Sequence, residues 1–343
     1  MRIRVLLAVA ALAVAPCAVR PAAAQAADSI RSWDLPTGSR VAWVRVPAAR
    51  AAGLPPLIYV HGGPGAYEVA SLGAYRRFAA RWAALGYDVV FYDQIGSGLS
   101  ARLTDPTGYT VARHVADLDA IRERLGAARV VLIGESWGAT LAAHYIAAHP
   151  DRVARAVFVS PGALDASDWE GPPGVLRLDP ELLAWVRDHG PAAAYRWCLE
   201  LSHRMTRDVR AAHAWAGDAA PDSLLDAWLT SQILVKAVAD PSKVASARMH
   251  GMGFWAWTMT NRDERTGAAR ARPRLGRFEQ PVLILHGSAD YLPAAFSAQY
   301  AAVFPRARLV QVPGAGHLIW VDRPDAYADA IDDLLAAPPA ERR

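Results

Sequence analysis

Cysteine and lysine are nearly missing from this chain. Its 343 residues include two cysteines, Cys17 and Cys198, and only Lys236 and Lys243 among 37 basic side chains. So few cysteines exclude a disulfide-stapled scaffold. The basic residues are otherwise arginines, consistent with a GC-rich coding bias. They form no run or stripe, which excludes a nucleic-acid footprint. Charge is also scarce, at 20% of residues against 53% hydrophobic. A chain of this kind buries a sizeable core, as one large α/β domain or two ordinary ones, and is not disordered. Long apolar runs are absent too. The eleven residues from Val5 to Ala15 fall well short of the ~20 that span a bilayer, and no stable membrane span is expected. No internal repeat, H-E-x-x-H or other metal-ligand spacing, or G-x-G-x-x-G after a strand occurs, so neither metal nor cofactor is implied.

The first 27 residues read as a signal peptide. Met1-Arg-Ile-Arg4 is a positive start, Val5 to Ala15 an apolar middle, and Ala22-Ala23-Ala24 a small-residue cleavage site. Cleavage after Ala24 removes Arg2, Arg4 and Arg20 and takes the net charge from +4 to +1. The expected location is periplasmic or secreted. Cys17 offers an alternative as a lipid-anchor site, against which Pro16 stands. Cys198, alone in the processed chain, is expected as a buried apolar filler.

Beyond the leader, strands and helices alternate. Leu57–Val60, Asp88–Tyr92, Arg129–Ile133, Val153–Val159, Val282–Leu285 and Arg308–Val312 are short β-branched or aromatic runs closed by Gly, Pro or Asp. Helical patterns cover Val69–Leu85, Val111–Leu125 and Ala139–Ala148. Trp33–Leu35 and Val41–Val46 flank a Pro36–Ser39 turn and predict an antiparallel hairpin at the sheet edge. The sum is an α/β protein with a mostly parallel sheet and helices on both faces. Between residues 163 and 275 strand signals vanish, and seven of the 12 tryptophans gather there. This stretch is expected to be a helical cap inserted after the sixth strand, dividing the core into residues 28–162 and 276–343. Its tryptophans serve either as helix-packing residues or as an apolar lid over a pocket.

Chemistry enters at Gly134-Glu-Ser-Trp-Gly138. A serine lifted out of the sheet's carboxyl edge on a tight strand-to-helix turn needs small residues two before and two after it. The hydroxyl is a weak nucleophile until a base removes its proton and an acid orients that base. Asp290 follows the Val282 strand and His317 the next one, each at a carboxyl end and in the order Ser, Asp, His. Asp322 and Asp325 lie after the histidine and fit that order worse. Ser136, Asp290 and His317 are therefore the candidate catalytic residues. His61-Gly-Gly-Pro-Gly65 follows the first core strand, and its glycines permit close backbone approach to an oxyanion. The expected oxyanion hole is the N–H groups of Gly63 and Trp137, with His61 as a loop brace.

The set His61–Gly65, Asp93-Gln-Ile-Gly-Ser-Gly98, Gly134–Gly138, His149-Pro-Asp-Arg-Val153, Asp290 and His317 resembles the proline iminopeptidase family of α/β-hydrolases. The likeness covers roughly residues 30–160 and 276–337, with Ile95 where the family usually has Arg. It implies the α/β-hydrolase fold, the nucleophile–base–acid roles above and a cap over the site. It also implies release of an N-terminal residue, often proline, from short peptides, with cap carboxylates gripping the free amine. Glu170, Glu200, Asp263 and Glu264 are candidates for that grip, each with solvation of an exposed helix face as its alternative. The expectation is thus an exported serine aminopeptidase acting on small peptides. An esterase, lactonase or amidase with the same triad is the alternative reading, and a non-catalytic binding protein on this fold a remoter one. Oligomeric state is left open.

Overall fold

The computed structural model describes residues 30–69, 72–164, 176–245, 247–266 and 272–337. The expected signal peptide with Cys17, and Trp169 and Glu170, lie outside the described residues.

Short apolar runs build one eight-stranded sheet. β1 (Arg31–Asp34) and β2 (Arg40–Val46) form the hairpin. β3 (Leu57–Val60), β4 (Val89–Tyr92), β5 (Val130–Glu135), β6 (Val153–Val159), β7 (Val282–Gly287) and β8 (Ala307–Val312) follow. Their spatial order is β1-β2-β4-β3-β5-β6-β7-β8. β2 pairs antiparallel with β1 and β4, and every later pairing is parallel. The parallel strands β3, β4, β5 and β7 are buried at every position, as coverage on both faces demands. β8, at the edge, keeps an exposed side.

The helices are α1 (Leu72–Ala84), α2 (Val111–Arg124), α3 (Trp137–Ala148), α4 (Pro180–His189), α5 (Ala192–Arg207), α6 (Val209–Ala216), α7 (Ala219–Gln232), α8 (Phe254–Thr266), α9 (Arg272–Leu275), α10 (Ala294–Val303), α11 (Ile319–Asp322) and α12 (Pro324–Ala336). Period-2 alternation divides the sheet's side chains between two cores. Ile58, Val60, Val130 and Leu132 meet α2, α3 and α10 on one face. Leu57, Tyr59, Val131 and Ile133 meet α1 and α12 on the other. Each fully buried aliphatic side chain of this kind is worth about 1.5–3 kcal/mol relative to exposure.

Between β6 and β7 the described residues form helices α4 to α9 and no strand, with α4 to α8 around a third core. Cys198, Leu201, Trp228 and Trp255 are buried there, so these two tryptophans are packing residues. Burial pushes the Cys198 thiol up to about 11. Among the described residues no helix is long and apolar enough to cross a membrane.

The segment before α8 is clasped to the sheet's loops by its main chain. Gly253 N–H donates to Gly65 O at 2.8 Å, and Gly98 N–H donates to Gly251 O at 2.7 Å. A Cβ on Gly253 would stand 1.7 Å from Gly96 O, so this contact requires glycine. Asp226 accepts from Gly251 and Met252 N–H at 3.0 Å each. Asp222 accepts from Phe254 N–H at 2.7 Å and pairs with Arg102 at 2.9 Å.

Two features differ from the sequence reading. β5 continues to Glu135 and α3 begins at Trp137, so Ser136 alone makes the turn expected to span residues 134–138. Gly134 stays in the strand, paired with Val60 and Phe158, despite its poor strand propensity. The second difference concerns the cap carboxylates. Glu264 is buried at 7% exposure, and its Oε2 accepts the Trp137 indole N–H at 2.8 Å. Asp263 accepts Val111 N–H at 2.8 Å, at the start of α2. Of the described candidates, only Glu200 stays on a half-exposed helix face, paired with Arg204 at 2.7 Å. The turn from α8 into the core, invisible locally, converts Glu264 from a surface residue into a tie to α3.

Two measurements check this packing. A Cβ on Gly138 would lie 2.0 Å from Val60 O, so Gly138→Ala should lower the denaturant midpoint by an amount equivalent to about 2 kcal/mol or more. Burial pushes the Glu264 carboxyl up to about 7, against the opposing Trp137 bond. An acid that ionises later in the folded chain than in the unfolded one costs stability as pH rises from the ordinary carboxylate range. Glu264→Gln should therefore gain stability over the parent between about pH 4.5 and 7, with the gap level above that. Denaturant midpoints at several pH values read this directly; a constant gap would contradict the burial argument.

Candidate active site

Four adjacent strands end at the site. Ser136 follows β5, Ser160 follows β6, Asp290 lies just past β7 and His317 just past β8. All four stand at the carboxyl edge of the parallel sheet, where loops converge.

Ser136 has φ 56° and ψ −124°, a left-handed φ that a non-glycine residue adopts at a cost of about 1–3 kcal/mol. The strain is held by main-chain bonds. Ser136 N–H donates to Val159 O at 2.8 Å, and its carbonyl accepts from Ala139 and Gly162 N–H at 3.0 and 3.2 Å. The His61–Gly65 loop presses on it: a Cβ on Gly62 would lie 2.9 Å from Ser136 Cβ and 3.5 Å from Oγ. Gly63 follows with φ 116°. Trp137 is the first residue of α3, and its N–H belongs to the helix turn whose donors have no intrahelical acceptor.

His61 is fully buried, and burial lowers its basicity. Its Nε2 accepts Gln94 N–H at 2.9 Å while the Gln94 amide donates to His61 O at 2.8 Å. This is the brace read from the sequence, and it joins the glycine loop to the loop after β4. Asp93 completes the join, accepting Glu68 and Val69 N–H at 2.7 and 2.9 Å and Leu99 N–H at 2.8 Å.

His317 Nδ1 lies 2.9 and 3.1 Å from the two Asp290 oxygens, a donor–acceptor pair that fixes the ring with Nε2 outward. Burial works to raise the Asp290 carboxyl. The His317 bond and charge, Leu292 N–H and the Ser160 hydroxyl outweigh it and hold Asp290 below the ordinary carboxylate range. The Tyr291 ring lies 4.7 Å from that of His317. Among the described residues, hydrogen bonds join His317 to Asp290 but not Ser136 to His317. The bond from a nucleophile to its base is often loose without substrate.

Ser160 is a residue the sequence reading missed. It is buried, with φ 44°, and its hydroxyl donates to His317 O at 2.8 Å. It thereby ties the histidine loop to the strand beside the serine turn. A positive φ on a serine before proline has no sequence signal. Among the described residues, no group of three His, Cys, Asp or Glu could hold a metal ion.

Comparison with known proteins agrees with this architecture. A family model described as the alpha/beta hydrolase fold matches residues 55–324. The proline iminopeptidase of Lactobacillus delbrueckii subsp. lactis is 31% identical over 312 residues, covering 88% of this chain and 96% of that one. That of Neisseria meningitidis serogroup A is 30% identical over 297 residues, covering 82% and 88%. Among solved structures, proline iminopeptidase from Mycobacterium smegmatis superposes with a TM-score of 0.57 at 20% identity, over 90% of this chain and 97% of that one. With sheet, serine turn and Asp–His pair in place, the chain belongs to the proline iminopeptidase family of the α/β-hydrolase fold.

Proposed function

We propose that the protein is an exported serine aminopeptidase that releases an N-terminal proline or another small apolar residue from short peptides. The observation that carries this reading is the strained φ of Ser136 on a one-residue turn, at the same sheet edge as a His317 oriented by Asp290. In the proposed cycle Ser136 Oγ attacks the carbonyl of the N-terminal residue and passes its proton to His317 Nε2. The N–H groups of Gly63 and Trp137 receive the oxyanion. His317 then gives that proton to the leaving peptide amine, leaving the N-terminal residue as an ester on Ser136. Water, deprotonated by His317, attacks the ester; the amino acid departs and the proton returns to Ser136. Loss of one oxyanion donor in such a site costs about 10²–10³ in rate.

A second reading, as an esterase, lactonase or amidase of broader scope, is favoured by one observation. The described candidates for binding a free amine are engaged elsewhere: Glu200 with Arg204, Asp263 with Val111 N–H and Glu264 with the Trp137 indole.

One panel separates the readings: proline and alanine arylamides, their N-acetylated forms and a short-chain aryl ester, each with the parent and Ser136→Ala. The aminopeptidase reading expects turnover of free-amine arylamides alone. Ester cleavage without need of an amine would establish the second reading. Ser136→Ala should fold and lose turnover; comparable activity in that variant would remove Ser136 as nucleophile. Export is checked by expression in a Gram-negative host and N-terminal sequencing of the released protein. Gln25 is expected as the first residue; retention in the cytoplasm with an intact leader would overturn it.

A further inference from the structure

The residue just before the candidate nucleophile carries a carboxyl that the cycle above does not use. Glu135, the last residue of β5, turns its side chain to the α1/α12 face and is buried. Three donors from three elements converge on it. The Tyr59 hydroxyl, in the strand leading into the glycine loop, donates to Oε2. The Tyr75 hydroxyl of α1 reaches the same oxygen at 3.0 Å. The Trp320 indole N–H of α11, three residues past His317, donates to Oε1 at 3.1 Å. One carboxyl thus ties together the elements bearing the serine, the glycine loop and the histidine.

We propose that Glu135 is a positioning residue of this site: its buried carboxylate holds these loops in register, and its negative charge, beside that of Asp290, stabilises the His317 imidazolium formed during turnover. The inference rests on His317 being the base.

Two carboxyls lie in this pocket, and their surroundings decide which is ionised. Glu68 is buried, with one carboxyl oxygen lacking any partner and Tyr75 in reach of the other. Burial and the neighbouring Glu135 push the Glu68 carboxyl well above the ordinary range. Burial raises the Glu135 carboxyl as well, against the opposing pull of the Tyr59, Tyr75 and Trp320 donors and of a protonated His317. Two adjacent buried carboxyls do not both ionise readily, and three donors on Glu135 against an unpartnered oxygen on Glu68 favour the charge on Glu135. Tyr327 closes the pocket from α12 without adding charge. On the other side of His317 stand Asp290, the Tyr291 ring and His286, whose Nδ1 is 3.9 Å from Asp290.

The test is the pH dependence of kcat and kcat/KM for the full chain on whichever substrate Ser136 turns over. Glu135→Gln keeps the shape and removes the charge. It should lower kcat about tenfold, leave KM nearly unchanged and move the acid limb down by about one pH unit, because the imidazolium loses a stabilising anion. Glu135→Asp, which keeps the charge, should restore the limb. Glu68→Gln should leave it in place. An unmoved limb in Glu135→Gln, or an equal movement in Glu68→Gln, would overturn the inference. His317→Ala separates the two layers: residual turnover there defeats the base assignment, whereas an inactive His317→Ala with an unmoved limb in Glu135→Gln defeats only the role of Glu135. Should Glu135→Gln not fold, Trp320→Phe strips one donor from the same carboxylate. It should then move the acid limb down in the same direction by a smaller amount, and an unmoved limb would count against the proposal.

Discussion

Backbone packed against backbone is the constraint on which the rest depends. At the end of β5 the chain reverses into α3 through a single residue, and there is no room for more than hydrogen on either side. Added Cβ atoms would lie 2.5 Å from Gly138 O at Gly134, 2.0 Å from Val60 O at Gly138 and 2.9 Å from Ser136 Cβ at Gly62. These three glycines let β3, β5, α3 and the loop after β3 close on one point. The main-chain bonds made possible by that closeness hold Ser136 in its left-handed conformation. Strain at one residue is therefore supported by many ordinary contacts around it.

Burial and the donors that oppose it together set the electrostatics of the site. Asp290 is held low by a histidine, a main-chain N–H and a serine hydroxyl. Glu264, with its one indole bond, rises to about 7. Glu68, with one oxygen unpartnered, is pushed well above the ordinary range. Desolvation raises all three carboxyls and the hydrogen bonds reaching each oppose it. Of the three, Asp290 ends below its ordinary range.

Much of this was legible in the residues. Strands β2 to β8 were visible because each is a compact, largely apolar run, whereas β1, Arg31–Asp34, has one apolar residue and was placed two residues late, at Trp33–Leu35, from its hairpin turn. The order Ser136, Asp290, His317 followed from their places after three of those runs. What escaped detection was non-local or had the wrong propensity. Gly134 ended the predicted strand early because glycine reads as a break, although its pairing with Val60 and Phe158 continues the sheet. Glu264 read as a solvated helix position because nothing nearby in sequence reveals Trp137, 127 residues away, as its partner. Ser160 is one serine among many until its φ and its bond to His317 O are seen. The aspartates that fasten the segment before α8, Asp222 and Asp226, likewise bond across the fold to a part of the chain they do not adjoin.

The excursion between β6 and β7 also bears on how the protein comes into being. More than a hundred residues separate Val159 from Val282, yet the two strands pair directly. Closing so long a loop costs only slightly more than closing one half its length, since the entropic term grows with the logarithm of length. The delay lies in time more than in free energy. Asp290 and His317 follow the helical insert in the chain, so β7 and β8 can add to the sheet edge only after that insert has been made. A nascent chain can therefore assemble the serine turn, the glycine loop and most of the sheet while its Asp–His pair does not yet exist. The fold keeps its serine without a base until the chain beyond the helical insert has been made.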